Sequence, residues 1–220
     1  MVSNKHVFWQ ALLSAILIFG VGIFLGIAFE EARNHSVENS LLVSEINVLD
    51  NQVAGQLGTD LSLSCDTIKN NIIKIADKIY DEARVLEEYD YASQLTTALE
   101  TMHKRYDLLR VMLWTQSINY EKKCGDGFHI VVYLYQYKDP EPQIRSEQIV
   151  FSRILEGLKD KYGNDFVLIP IAGDLKLESV ELIKEKYNLK SYPAVIIDGK
   201  IIDSTAELSK IEEDLFSSKQ

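Results

Sequence analysis

The chain has 220 residues, 46% of them hydrophobic, and a formal net charge of −10. This length allows a membrane segment with one or two compact units, but not a large enzyme. The acidic balance argues against nucleic acid as a partner, because phosphate binding needs clustered lysines and arginines. The four histidines are scattered, and we interpret them as surface or packing residues. No glycine-rich phosphate loop occurs, so we expect no catalytic residue, no metal and no cofactor.

An uncharged apolar run covers residues 7–29, after a short N-terminal tail of residues 1–6. As a helix the run measures roughly 34 Å, which is enough to cross a bilayer. Lys5 precedes it, whereas Glu30 and Glu31 follow it, so the positive-inside rule puts the N-terminus in the cytoplasm. We predict a signal-anchor in the cell membrane, in contact with the lipid bilayer, with the later domains extracytoplasmic. The alternative is a cleaved secretory signal, which would export the remainder as well.

A helical stalk is predicted over residues 30–58. Its apolar residues recur at four-three-four spacing, as in a narrow coiled-coil seam: Leu42, Ile46, Leu49 and Val53. With fewer than three heptads, packing against the following helices is an equal alternative to a coiled coil. Gly55 and Gly58 are expected to end the helix. The seam, together with Gly22-xxx-Gly26 in the anchor, also predicts a homo-oligomer.

An antiparallel helical hairpin is predicted over residues 59–124. Each of its helices carries an apolar stripe at helical spacing, which we expect to be core. The stripes consist of Ile68, Ile72, Ile75, Ile79, Ala83 and Leu86, and of Leu95, Leu99, Met102, Tyr106, Leu109 and Leu113.

The chain has two cysteines, Cys65 at the start of the first hairpin helix and Cys124 just after the second. Antiparallel packing brings them towards the same end of the hairpin. In an exported compartment such a pair is usually a structural disulfide, which is our prediction. The alternatives are a redox-active pair and free thiols.

From residue 128 to 218 short apolar runs alternate with amphipathic helices in the order β-α-β-α-β-β-α, which predicts an α/β fold. The strands are Ile130–Tyr135, Phe166–Ile171, Ala194–Ile197 and Ile201–Ile202, and the helices are Ser146–Tyr162, Leu177–Tyr187 and Thr205–Phe216. Asp198-Gly199 is a type I′ hairpin signal. Ser146 is expected to cap its helix, whose inward residues are Ile149, Val150, Ile154, Leu155 and Leu158.

The stretch Asn188-Leu-Lys-Ser-Tyr-Pro-Ala-Val-Ile-Ile-Asp-Gly199 resembles the segment that carries the cis-proline of the thioredoxin family. The resemblance implies a thioredoxin-like domain over residues 128–218, in which Pro193 is the cis-proline and Tyr192 the variable residue before it. In that family the backbone beside this proline pairs with extended substrate. We therefore expect a binding groove there.

The chain departs from the thioredoxin family in the loop after the first strand, where the family has two cysteines in a C-x-x-C motif. The corresponding loop here is Gln136–Gln143, which contains no cysteine. Without a thiolate no thiol–disulfide exchange occurs at that site. Pro140 and Pro142 stiffen the loop and are predicted to flank the binding groove.

The leading hypothesis is a membrane-anchored, redox-inactive thioredoxin-like protein that presents a protein- or peptide-binding domain outside the cytoplasm. The first alternative is a membrane-bound thiol–disulfide oxidoreductase, or its partner, that uses Cys65 and Cys124. The second is a structural subunit of a membrane complex. A fold alone does not decide among these functions.

Overall fold

The structure is a computed structural model that describes residues 4–60, 63–92, 96–125 and 127–202. The chain divides into two units, Met1–Ile46 and Asn47–Gln220. The helices are α1 (Asn4–Asp60), α2 (Cys65–Ala92), α3 (Thr96–Cys124), α4 (Pro142–Tyr162) and α5 (Glu178–Lys186), and the strands are β1 (His129–Tyr135), β2 (Phe166–Ala172), β3 (Ala194–Ile197) and β4 (Lys200–Ile202). A 3-10 turn, Gly163–Asp165, precedes β2. The predicted helix Thr205–Phe216 lies outside the described residues.

Helix α1 contains the apolar N-terminal run. Its segment Phe8–Ile27 has 20 residues and a mean hydropathy of 2.3, and none of it is buried. By length and composition this helix can cross a membrane, although a signal sequence has the same properties.

The C-terminal part of α1 does not end where the glycines predict. The helix continues through Gly55 and Gly58 to Asp60, so that prediction was wrong. Gly55 lies beside α3, where a Cβ would come within 2.7 Å of Gln116 Nε2. The missing side chain permits this close approach. A glycine inside a helix lowers the stability of the helix by only about 1 kcal/mol relative to alanine.

The four strands form one mixed sheet in the order β2-β1-β3-β4. Strand β1 is parallel to β2 and antiparallel to β3, and β3 is antiparallel to β4. The predicted β3–β4 hairpin is confirmed: Asp198 and Gly199 have φ values of 46° and 78°, as a type I′ turn requires. The Asp198 carboxylate also accepts the Ile130 N–H at 2.8 Å, so the turn binds the start of β1. The described residues thus form a mixed α/β fold.

The two faces of the sheet carry separate apolar cores. On one face Val132, Leu134 and Ile169 pack with the hairpin stripes of α2 and α3. The hairpin and the sheet, which the sequence assigned to separate domains, therefore share a core. On the other face Val131 and Phe166 pack with α4.

Helix α4 begins four residues earlier than the sequence predicted. Pro142 is its first residue, a position that suits proline because the first helical N–H has no intrahelical partner. Ser146 therefore does not cap the helix, and its Oγ donates instead to the Pro142 carbonyl at 2.9 Å.

The inward face of α4 also differs from the prediction. Phe151, Leu155 and Leu158 are buried, whereas Ile149 and Val150 are 47% and 46% exposed. A period of 3.6 residues places positions 151, 155 and 158 on one face and turns position 149 away from it. The prediction that Ile149 and Val150 point inward was therefore wrong.

Candidate functional site

The predicted bond between Cys65 and Cys124 is confirmed, with their Cα atoms 5.7 Å apart. Cys65 is exposed and Cys124 is half-buried. Because the sequence has only these two cysteines, the disulfide leaves no free thiol.

The disulfide and the β1–α4 loop lie at opposite ends of the sheet. Cys124 ends α3 and precedes β1, whereas the loop follows the last residue of β1, Tyr135. Near the other end of α3, Glu100 forms an ion pair with Lys138 of the loop at 2.8 Å. A seven-residue strand measures roughly 23 Å, so about that distance along the sheet lies between the disulfide end and this loop.

Tyr192 and Pro193, two of the predicted groove residues, lie directly before β3, and the peptide bond between them is cis. The Tyr192 hydroxyl donates to the Gly173 carbonyl at 2.6 Å. Burial raises the pKa of Tyr192, which keeps the phenol protonated as the donor. A Cβ at Gly173 would overlap the Tyr192 ring, so only glycine admits the ring here.

Asp174, the next residue, holds the β1–α4 loop. Its carboxylate accepts the backbone N–H of Tyr137 at 2.9 Å and that of Lys138 at 2.7 Å. Lys104 and, next, Lys138 bind Glu100 and lower the pKa of Glu100 to about 2. The loop and Tyr192 therefore meet at consecutive residues, Gly173 and Asp174.

The two loop prolines lie just beyond this junction. Pro140 is half-buried two residues after Lys138, and Pro142 is exposed as the first residue of α4. Pro193 is half-buried. The structure thus places the Tyr192 segment and the proline loop at the same end of the sheet.

Helix α3 carries a polar stripe that the sequence reasoning missed. Asp107 is fully buried and Arg110 is 7% exposed, and His103 is also buried. These residues recur at four-three spacing, each one position after a member of the apolar stripe. That adjacency is the signal that could have identified them, because a helix packed on two sides buries two neighbouring stripes.

Asp107 forms the centre of this polar stripe. Its Oδ1 accepts the Ala172 N–H and an Arg110 Nη1–H, each at 3.2 Å. Burial raises the pKa of Asp107 to about 6, against the opposing effect of the Arg110 charge. Among the described residues, neither Asp107 Oδ2 nor Arg110 Nε has a hydrogen-bond partner.

Arg110 also lines a cavity of about 770 Å³, here called the α2–α4 cavity. Its lining comes from α2 and α3 on one face of the sheet, from α4 on the other face, and from strands β1 and β2. A row of tyrosines from β1 and the following loop enters it, namely Tyr133, Tyr135 and Tyr137. None of the four predicted groove residues lines this cavity.

A second cavity, of about 260 Å³, lies between the end of α1, the start of α2 and α3. Gly55, Ile68 and Gln116 are among its lining residues. Its volume is below the usual range of ligand sites. Within the described ranges, no cluster of three or more His, Cys, Asp or Glu residues could hold a metal ion.

No protein-family model matches the chain, and no curated protein sequence is significantly similar to it. The site is therefore interpreted from its own geometry.

Proposed function

We propose that this chain is a membrane-anchored, redox-inactive thioredoxin-like protein that presents a protein- or peptide-binding surface outside the cytoplasm. The binding surface is formed by Tyr192, Pro193 and the loop prolines Pro140 and Pro142. The observation that carries the proposal is the junction at Gly173 and Asp174, which holds the Tyr192 segment and the β1–α4 loop together.

The thioredoxin-like part of the proposal is supported by the strand pattern. Two parallel strands, β1 and β2, are connected through α4, and an antiparallel pair, β3 and β4, follows α5. The two halves join through β1 and β3 in the centre of the sheet. This pattern of one parallel and one antiparallel pair supports the sequence resemblance.

The redox-inactive part is supported by the position of the cysteines. The β1–α4 loop has none, and the disulfide lies at the other end of the sheet. A thiolate is needed to attack a substrate disulfide, and the cysteines that could supply one are paired with each other away from this loop.

Photo-crosslinking in native membranes tests the binding surface. The exposed residues Ser191 and Lys138 are replaced one at a time by a photoreactive amino acid, and the exposed Glu121, at the far end of α3, is the matched control. We expect one saturable protein adduct from both Ser191 and Lys138 and none from Glu121. Equal adducts from all three positions, or none from the first two, would contradict the proposal.

The membrane orientation is tested by protease protection of sealed vesicles. The N-terminal charge pattern predicts that residues 30–220 are digested only from the extracytoplasmic side. Digestion from the cytoplasmic side would overturn this part of the proposal.

The oxidoreductase alternative has one observation in its favour, since Cys65 is exposed and the disulfide can be reached from solvent. A disulfide-reductase assay on the full chain separates the two functions. Turnover that disappears in the Cys65→Ser/Cys124→Ser variant would establish the enzyme and refute redox inactivity.

We also propose that copies of the chain associate in parallel through α1. Ile46, Leu49 and Val53 are 64%, 55% and 52% exposed, and their spacing is that of a coiled-coil seam. A common membrane would align two anchors in parallel. Replacing Leu49 by Lys should abolish energy transfer between donor- and acceptor-labelled copies, whereas Lys at the exposed Asp50 should not.

A further inference from the structure

Helix α3 of the hairpin contacts the sheet at the end where the proposed protein-binding surface lies. Three of its residues, Glu100, His103 and Asp107, recur at spacings of three and four, so they lie on one side of the helix. Each of the three contacts the β1–α4 loop or the end of β2. This row therefore connects the hairpin to the structure that carries the surface.

The first two residues of the row contact the β1–α4 loop. Glu100 forms its ion pair with Lys138 at 2.8 Å, and the ring of the buried His103 lies 4.0 Å from the ring of Tyr137 between centroids. Tyr137 and Lys138 are also the two residues whose backbone N–H groups donate to Asp174. The loop is thus held from two directions, by α3 through side chains and by Asp174 through the backbone.

The third residue of the row, Asp107, holds the end of β2. Its carboxylate is fully buried and accepts the Ala172 N–H at 3.2 Å. The next residue, Gly173, accepts the Tyr192 hydroxyl, and Asp174 after it accepts the loop amides. Three consecutive residues therefore connect α3, the Tyr192 segment and the β1–α4 loop.

The conformation of the loop depends on contacts from outside it. Asp139, directly after Lys138, has a φ of 41°. This is the left-handed region, whereas a residue before a proline, here Pro140, prefers an extended conformation. Such a conformation persists where surrounding contacts fix it. The contacts from α3 and from Asp174 supply that constraint.

We propose that α3 positions the protein-binding surface, with Glu100 and His103 holding the β1–α4 loop and Asp107 holding the end of β2. The hairpin is then part of the binding unit rather than a spacer, and the affinity for a partner depends on how α3 is docked on the sheet. The three residues act through the groups they hold, not by contact with the partner. This inference rests on the proposed function, because it concerns the same surface.

Amide hydrogen exchange of the full chain in phosphatidylcholine nanodiscs tests the hold of α3 in the absence of any partner. Glu100→Lys reverses the charge opposite Lys138 and should make exchange at the Tyr137 amide about threefold faster. His103→Gln removes the ring but keeps a polar side chain, and should have an effect of similar size, about threefold. Unchanged exchange in both variants would overturn the proposal.

A charge swap shows whether the ion pair itself is responsible. Glu100→Lys combined with Lys138→Glu restores opposite charges, and exchange at the Tyr137 amide should return to within about twofold of the unmodified chain. The matched control is Asp165→Asn, which removes an ion pair of 3.5 Å with Lys69 between α2 and the turn before β2, at the other end of the sheet. It should leave exchange at the loop unchanged. A swap as fast as Glu100→Lys alone would refute the role of the pair.

Photo-crosslinking in native membranes tests the effect on binding. The photoreactive amino acid replaces Glu141, which is exposed between Pro140 and Pro142. The yield of the saturable adduct should fall about threefold in Glu100→Lys, recover in the charge swap and stay unchanged in Asp165→Asn. Faster exchange with an undiminished yield would overturn the proposal. Absence of any adduct in the unmodified chain would instead refute the proposed function, and the exchange rates would still decide whether α3 positions the loop.

Discussion

The carboxylate of Asp107, in the middle of α3, accepts the backbone N–H of Ala172 on the edge strand β2 at 3.2 Å. This bond connects the helical hairpin to the sheet at a fully buried position. Removing the acceptor would leave a buried N–H without a partner, at a cost of about 1–3 kcal/mol. The contact gives the buried Asp107 carboxylate a structural role in joining α3 to β2.

The buried Asp107 should make the stability of the chain fall as pH rises. Its pKa is about 6 in the folded state and 3.8 ordinarily, so the folded state binds the proton more tightly. Between pH 4 and 6 the free energy of unfolding should therefore decrease with pH, by about 3 kcal/mol in total. Denaturant unfolding of the full chain and of Asp107→Asn, compared from pH 4 to 7, measures the difference. Parallel curves would show that Asp107 does not titrate in this window.

The Cys65–Cys124 disulfide should stabilise the fold without contributing to binding. Its partners are 59 residues apart in sequence, so its loss should reduce the free energy of unfolding by about 4 kcal/mol in the chain-entropy model. Thermal unfolding of Cys65→Ser/Cys124→Ser and of the unmodified chain measures this loss. At a temperature where the variant is folded, crosslinking from Ser191 should be unchanged, and a loss of adducts there would link the disulfide to binding.

Asp174 should determine the order of the β1–α4 loop. Asp174→Ala removes the acceptor of two backbone N–H groups, those of Tyr137 and Lys138, and should cost about 2 kcal/mol. Amide hydrogen exchange should then be faster at both residues, and crosslinking from Lys138 should decrease. Glu185→Ala, an exposed change on α5, serves as the control. Unchanged exchange at both amides would show that other contacts hold the loop.

Two residues of α4 should differ strongly in their contribution to stability. Leu155 is fully buried, so Leu155→Ala should cost about 2–5 kcal/mol, whereas Ile149→Ala, at a 47% exposed position, should cost about 0.5 kcal/mol or less. Denaturant midpoints of the two variants provide the measurement. Similar losses would mean that α4 buries a wider face than the structure shows.

Local signals in the sequence predicted the elements whose conformation is decided locally. Asp198-Gly199 identified the β3–β4 turn because few residues adopt positive φ at both turn positions. The apolar stripes predicted α2 and α3 because each helix has one face in the core. The antiparallel arrangement of those helices brought Cys65 and Cys124 to the same end of the hairpin, and the expected export of the chain favoured their bond.

The errors arose where tertiary contacts override local preference. Gly55 was interpreted as a helix stop, although its small size is used for contact with Gln116. Asp107 and Arg110 were missed because charged residues on a helix are normally solvated, and only the packing of α3 against β2 buries them. The α2–α4 cavity could not be predicted, since its walls come from segments far apart in sequence.

The covalent ring closed by the disulfide determines how mechanical tension would pass through the chain. A pulling force applied between α1 and the sheet enters at Cys65, crosses the sulfur–sulfur bond to Cys124 and continues into β1. Residues 66–123 lie outside this load path. If α1 and the sheet are pulled apart, the backbone of residues 66–123 is therefore bypassed, and only reduction of the disulfide would add its contour length to the covalent path.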